Sequence, residues 1–380
     1  MRSSIGQESS FNNPRQEVRD FLAAAAQQPA PFFFLQFSGV KYVEMEGQRP
    51  LRLANEAQKL GLPVLYVYLD RPSRLEAVRV SPHLLVISSG LLSSLSHEIF
   101  AAPLPGVKIL CIHFPHPLSH NYLPPARENG WVTVYDCMDS WREFHPLGQA
   151  YWFSEAVEAE VCRKADIIIA TNSTLGQELL RFGAIRYTVI PNGVDPGRLD
   201  RNLPPLLLPR GEITVGFFGY ITRAWFDWNR LVQLAKRHQR WLFPVIWWGE
   251  DWPPGLPPNI HSLGSIPHTE LPRYTRYWDV GFVNFKNSRL IHCSCPIKIY
   301  EYLHLGLPVV SVPIPHLREY PYVYTAVSLA EFERQIIRAA QIRPQNQIVD
   351  PFIKQHTWQR LFGLFLDRVR QHVAERSNRT

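Results

Sequence analysis

The stretch Cys295-Pro296-Ile297-Lys298-Ile299-Tyr300-Glu301-Tyr302-Leu303-His304-Leu305-Gly306-Leu307-Pro308-Val309-Val310 decides the reading of this chain. Pro296 suits the first turn of a helix, where a missing backbone N–H costs nothing. Gly306 suits the left-handed residue just past the helix end, and Val309-Val310 then begins a buried strand. A short helix is thus stopped and handed to a sheet. Lys298 and Glu301 stand three apart near the helix N-terminus, where free N–H groups and the helix dipole favour a bound phosphate. Lys298 adds a full positive charge there, and Glu301, one turn further in, can accept both hydroxyl protons of a ribose. The pair suits a nucleotide diphosphate. The residues alone leave a second reading open, an ordinary helix with an i,i+3 ion pair on a solvated face.

Outward from this segment, short apolar runs alternate with longer helical patterns, which indicates α/β organisation. Strands are expected at 32–37, 64–68, 84–87, 108–112, 131–135, 166–170 and 187–190, with helices at 50–60, 151–164 and 175–182 between them. Asn202 to Arg210 is rich in Pro and Leu, breaks both periodicities and reads as a linker. The alternation restarts with strands at 213–218, 243–248, 260–263, 279–284, 309–312 and 323–327, and helices at 228–238 and 329–340. The tail from about Thr357 to Glu375 is one amphipathic helix, with Leu361, Leu364, Phe365 and Val369 on a core-facing stripe. Two doubly wound units in series place ligands at the carboxyl ends of their strands.

Polar residues at those ends are therefore the candidates. Asp136 follows the 131–135 strand, where a carboxylate can act as general base on an acceptor hydroxyl or serve as a cap. Asp139 reads as the better cap. His113, with His116 and His120 behind it, lies past another strand end and is an alternative base; Pro115 and Pro117 argue against a regular helix there. Gly219 ends the first strand of the second unit and permits close approach of backbone to phosphate, and Arg223 can clamp a pyrophosphate.

The chain of 380 residues is long enough for two ordinary domains, and 46% hydrophobic with 19% charged residues argues against disorder. A formal net charge of +7 implies anionic partners. No basic run interleaves with aromatics as in a nucleic-acid reader, so a nucleotide donor and an anionic membrane surface are the simpler partners. No apolar stretch approaches the roughly 18 residues of a membrane span, and the first residues lack a signal-peptide core. Five cysteines, an odd and sparse set, fit reduced thiols in a cytoplasmic protein. Cys293-x-Cys295 beside His292 lacks a second ligand pair at zinc spacing, so no metal site and no cofactor are expected.

The opening segment resembles the P-[IL]-K-[IL]-[FY]-E-Y-L-x-x-G-x-P-V-V stretch of GT-B glycosyltransferases, in the group that includes glycosyltransferase family 4. Gly47-Gln48-Arg49-Pro50 is similar to a Q-R-P at the start of the first helix in a subset of these enzymes. Tyr135-Asp136-Cys137-Met138-Asp139 is similar to that subset's Y-D-C-x-D, and Ile190-Pro191-Asn192-Gly193-Val194-Asp195 to the I-P-N-G-V-D closing the first domain. The resemblance covers roughly residues 31 to 312. It implies a GT-B fold: two Rossmann-like domains facing across a cleft, with a C-terminal helix crossing back to the first. The expected division is an extension at 1–30, an acceptor domain at 31–199, a linker at 200–211, a donor domain at 212–350 and the returning helix at 351–380.

The implied activity is transfer of a sugar from a nucleotide-diphosphate sugar to a hydroxyl acceptor, a glycan or lipid-linked glycan of the cell envelope, at the cytoplasmic membrane face. Asp136 then falls where many GT-B enzymes place a catalytic His or Asp. Gly219, Arg223, Lys298 and Glu301 fall at the donor site, where protein cations stand in for a divalent ion. The sequence departs from family 4 at Cys293, eight residues before Glu301, where a donor-sugar Glu is usual. Two other readings share the fold: a nucleotide-sugar epimerase, and a non-catalytic protein binding a glycan or partner.

Overall fold

The run Phe32–Phe37 is buried along its whole length, which suits a central strand of a parallel sheet covered on both faces. Its side chains alternate between two cores: Phe33, Leu35 and Phe37 pack on one face, Phe32 and Phe34 on the other. The computed structural model describes residues 13–42 and 48–378; Gly47 and residues 1–12 of the expected extension lie outside the described residues.

The first sheet comprises β1 (Phe32–Gly39), β2 (Val64–Tyr68), β3 (Ala77–Ser81), β4 (Leu84–Ser88), β5 (Val107–Ile112), β6 (Val132–Cys137), β7 (Ile167–Ala170) and β8 (Thr188–Val189). Their order is β3-β4-β2-β1-β5-β6-β7-β8, parallel except for the β3/β4 hairpin at one edge. The second sheet comprises β9 (Val215–Ile221), β10 (Phe243–Gly249), β11 (Ile260–Gly264), β12 (Val280–Val283), β13 (Val309–Ser311) and β14 (Val323–Thr325), all parallel in the order β11-β10-β9-β12-β13-β14. In each sheet the strand order reverses beside the first strand, between β1 and β5 and between β9 and β12. Those switch points are where open α/β sheets bind ligands.

Several elements differ from the sequence reading. Pro14–Gln27 is a helix capped by Asn13, and its Val18, Phe21, Leu22 and Ala25 enter the first-domain core, so this part of the expected extension belongs to the domain. Pro117 opens a short helix, Pro117–Asn121, instead of forbidding one, because at the first position its missing N–H has no intrahelical partner to lose. The 151–164 helix begins only at Glu155, leaving Tyr151 80% exposed in a loop. Strand β6 runs to Cys137, two residues beyond its expected end, which places Asp136 inside the strand.

The chain crosses between domains twice. The first crossing follows β8, and residues 199–211 form a linker without helix or strand. The second leads into the helix Trp358–Ser377, whose Trp358, Leu361, Phe362, Phe365, Leu366 and Val369 complete the first domain's second core beside Phe34 and Leu51. Each such buried side chain contributes roughly 1.5–3 kcal/mol, so the returning helix is integral to the first domain. The two crossings hydrogen-bond to one another, Val194 N–H to His356 O at 2.9 Å and Trp358 N–H to Val194 O at 3.2 Å.

Candidate active site

On the second domain, β9 ends with Gly219 at φ +138°, a conformation that favours glycine. A Cβ there would lie 2.7 Å from Lys298 Nζ, so the strand end and the Lys298 ammonium are adjacent. Lys298 projects from the helix Ile297–His304, which follows Pro296 and stops before Gly306 at φ +78°. Its ammonium lies over the rings of Phe217 and Phe285, 4.3 and 4.7 Å from their centroids. It makes no ion pair among the described residues. Burial against these rings lowers the Lys298 pKa to about 7, with Glu301 opposing the shift. Glu301 itself receives His268 Nε2 at 2.6 Å, so the i,i+3 ion pair does not form and the cation stays available.

The other expected phosphate ligand is placed differently. Arg223 has a side chain 76% exposed at the rim, 3.7 Å from Glu250 Oε2. A second cation stands beside it. Lys286, just past β12, donates to Arg223 O at 2.5 Å. The position of Lys286 just past the carboxyl end of a central strand was the signal that could have singled it out.

On the first domain, Asp136 and His113 have no exposed side-chain surface. Arg49, at the start of the helix Arg49–Lys59, grips Asp136 with both arms: Nε to Oδ2 at 2.8 Å and Nη2 to Oδ1 at 2.9 Å. His113 Nδ1 lies 3.1 Å from Asp136 Oδ2, and its Nε2 lies 2.9 Å from Gln36 Nε2. Burial alone would raise the Asp136 carboxyl; the Arg49 guanidinium and His113 outweigh it and hold the group well below the usual carboxylate range. Both carboxylate oxygens are thus occupied, and neither Asp136 nor His113, the residues expected as base, reaches solvent. In this geometry they hold Arg49 in a buried cluster.

Arg49 then reaches across the motifs. Its Nη1 donates to Pro191 O at 2.9 Å, Asn192 Nδ2 donates to Cys295 O at 2.8 Å, and Asn192 N–H approaches Cys295 Sγ at 3.4 Å. The Q-R-P, Y-D-C-x-D, P-N-G and C-P-I-K segments are therefore one hydrogen-bonded chain running from the first domain to the donor helix. Cys111, His113 and Asp136 bring three ligand-type atoms within 4.8 Å of one another. Arg49 already neutralises this carboxylate, and burial drives the Cys111 thiol well above its ordinary pKa, so the set does not suit a cation.

Asp139 differs from Asp136. It follows the true end of β6 and lines a cavity of about 350 Å³ between the domains, walled by Phe114, Trp141, Phe144 and Trp152. It does not cap the next helix, whose N-cap is Ser140. Its carboxylate has no hydrogen bond or ion pair among the described residues, and burial pushes its pKa up to about 7. Ile297, the residue before Lys298, lines the same cavity and joins it to the donor helix. A second cavity of about 640 Å³, lined by Arg52, Asp195, Arg198 and Thr269, opens on the His268 side of that helix.

Cys293 is fully buried and packs into the first domain's core, although it belongs to the second. Asn172 Nδ2 donates to its carbonyl at 2.7 Å, and Arg289 Nε pairs with Glu178 at 2.7 Å alongside. Phe144 and Trp225 meet edge to face across the same boundary, 5.8 Å apart. The position of the usual donor-sugar Glu is here a domain contact. No helix among the described residues is long and apolar enough to cross a membrane.

Residues 49–198 match the sequence model of Glycosyltransferase Family 4. The chain is 27% identical over 220 residues to the putative teichuronic acid biosynthesis glycosyltransferase TuaH of Bacillus subtilis, across 51% of this chain and 54% of the relative, so it spans about half the length of the curated relative it matches. Among solved structures it is similar to an E. coli protein described as trehalose-6-phosphate bound with UDP-2-fluoro glucose, with a TM-score of 0.61 at 12% identity over 89% of this chain and 99% of that one. It is also similar to a glycosyltransferase from Rickettsia africae ESF-5, with a TM-score of 0.59 at 12% identity over 91% and 99%. At that identity the likeness concerns the fold. The chain has the GT-B fold, and its residues 49–198 are similar to Glycosyltransferase Family 4.

Proposed function

We propose that this protein is a glycosyltransferase that moves a sugar from a nucleotide-diphosphate donor to a hydroxyl of a cell-envelope glycan, at the cytoplasmic membrane face. The observation that carries the reading is Lys298: an ammonium without an ion-pair partner among the described residues, beside Gly219 at a strand end. One helical turn on, Glu301 is held by His268. Such an arrangement is suited to a diphosphate at Gly219 and Lys298 and a ribose diol at Glu301. As the glycosidic bond breaks, its electron pair leaves on the diphosphate, and Lys298 stabilises the growing charge. Lys286 and Arg223 supply further positive charge at the rim. The match to a putative teichuronic acid biosynthesis glycosyltransferase supports an envelope acceptor.

The test is calorimetric titration with UDP, GDP and dTDP, followed by turnover of the corresponding labelled sugars with and without acceptor glycans. Binding of one diphosphate by the wild type and its loss in Lys298→Met are expected. Binding that is indifferent to Lys298 would sink the donor assignment, and sugar isomerisation without any acceptor would identify an epimerase instead.

A further inference from the structure

The cavity beside Asp139 has a composition that specifies its occupant. Its walls Phe114, Trp141, Phe144 and Trp152 present aromatic surface, with Trp141 tilted against Phe114 and Trp152 at centroid distances of 4.5 and 5.4 Å. Aromatic faces pack on the C–H faces of sugar rings. The Asp139 carboxyl has no hydrogen bond or ion pair among the described residues, and Gln149 adds an amide. The cavity therefore offers an unmet acceptor and an amide beside aromatic walls, which is what a ring carrying hydroxyls satisfies.

Charge narrows the choice. The charged residues lining the cavity are Arg49 and Asp139, and Arg49 is already neutralised by its bidentate contact with Asp136. Above about pH 7, where Asp139 is ionised, an anionic sugar would meet its carboxylate with no free cation to offset it. We propose that this cavity is the acceptor subsite, that it takes an uncharged pyranose, and that Asp139 accepts the hydrogen bond of the acceptor hydroxyl while excluding phosphorylated and uronate sugars. The acceptor label rests on the glycosyltransferase reading above; the pyranose chemistry of the cavity stands without it.

The experiment uses methyl glucoside, methyl galactoside and methyl N-acetylglucosaminide, against methyl glucuronide and glucose 6-phosphate, on the full chain at about pH 8, where Asp139 is ionised. Saturation-transfer NMR and Trp fluorescence read binding, and UDP, GDP and dTDP are titrated in parallel. At least one neutral glycoside should bind and the two anionic sugars should not. Asp139→Asn should weaken the neutral glycoside by roughly ten- to hundredfold, as expected for a hydrogen bond to a charged group. The same variant should bind nucleotide as the wild type does and should relax the exclusion of the anionic sugars. Trp152→Leu gives a second handle on the stacking wall, and it should weaken glycosides while leaving the melting temperature within a few degrees. Failure of every neutral glycoside to bind, preference for an anionic sugar, or unchanged binding in Asp139→Asn would overturn the subsite. Glycoside binding without binding of any nucleotide would instead remove the transferase reading and leave the pyranose site standing.

Discussion

Replacing Asp136 by Asn leaves the shape of its side chain nearly intact and removes one charge from a fully buried pair. Arg49, with 1% of its side chain exposed, then keeps a guanidinium with no counter-ion. Two charge-assisted hydrogen bonds, at 2.8 and 2.9 Å, become bonds to a neutral amide, one of which must face an N–H₂ group instead of an oxygen. Breaking one side of a buried ion pair costs about 3–5 kcal/mol, and a domain of 150–250 residues loses about 2–4 °C per kcal/mol, so the melting point of the first domain should fall by roughly 6–20 °C. Because the folded pKa of Asp136 lies below its unfolded value, this stabilisation is present above the unfolded pKa. It is lost as pH falls through the folded one, so the wild-type advantage is complete at neutral pH and closes only in strong acid. The assay is scanning calorimetry of both proteins at neutral and acid pH. Arg49→Met with Asp136→Leu should recover most of the loss, since apolar groups of similar size need no counter-ion. A variant as stable as the wild type, yet inactive, would refute the positioning role and return Asp136 to catalysis.

Other outcomes follow from the same geometry. With the Lys298 pKa lowered to about 7, the unfolded chain binds more protons than the folded one from there up to the ordinary lysine value, so the contribution of Lys298 to stability rises with pH across that window. Binding a diphosphate restores the charge, and calorimetry at pH 8 in buffers of different ionisation enthalpy should register proton uptake that Lys298→Met abolishes. Glu301→Ala should weaken nucleotide binding by about 1.5–3 kcal/mol with the fold preserved; unchanged affinity would end the ribose assignment. Cys293→Glu, which installs the usual family residue, should lower the melting temperature without raising turnover, because the new carboxylate would be buried near Glu178; a gain in activity would mean that the position faces the donor after all.

The helix that carries Lys298 and Glu301 was legible because its signals are local. Pro296, Lys298, Glu301 and Gly306 lie within one helix and its ends, and helix-end chemistry assigns each a place. The first-domain half was harder to read, because nothing local separates Asp136 from Asp139, three residues on. Strand β6 is buried on both faces, so no polar alternation marks where it ends, and Asp136 and Asp139 look equally terminal. What separates them is Arg49, 87 residues before Asp136, and no local rule pairs residues so far apart. The burial of Cys293 is likewise a property of two domains meeting. The Pro14–Gln27 helix, by contrast, was readable: Val18, Phe21, Leu22 and Ala25 stand at helical spacing behind an Asn13 cap.

The returning helix has a consequence for how this protein is made. Phe34, Leu51 and Ala54 of the first domain share a core with Trp358, Phe362 and Phe365, which are synthesised only after the entire second domain. At roughly 5–20 residues per second, the apolar face left behind at residue 190 waits on the order of ten to thirty seconds for its cover. A fragment ending near residue 200 should accordingly bind an apolar dye that the full chain excludes. For that interval the nascent first domain is a client for whatever shields bare hydrophobic surface in the cell, and the helix Trp358–Ser377, not the first two hundred residues, releases it.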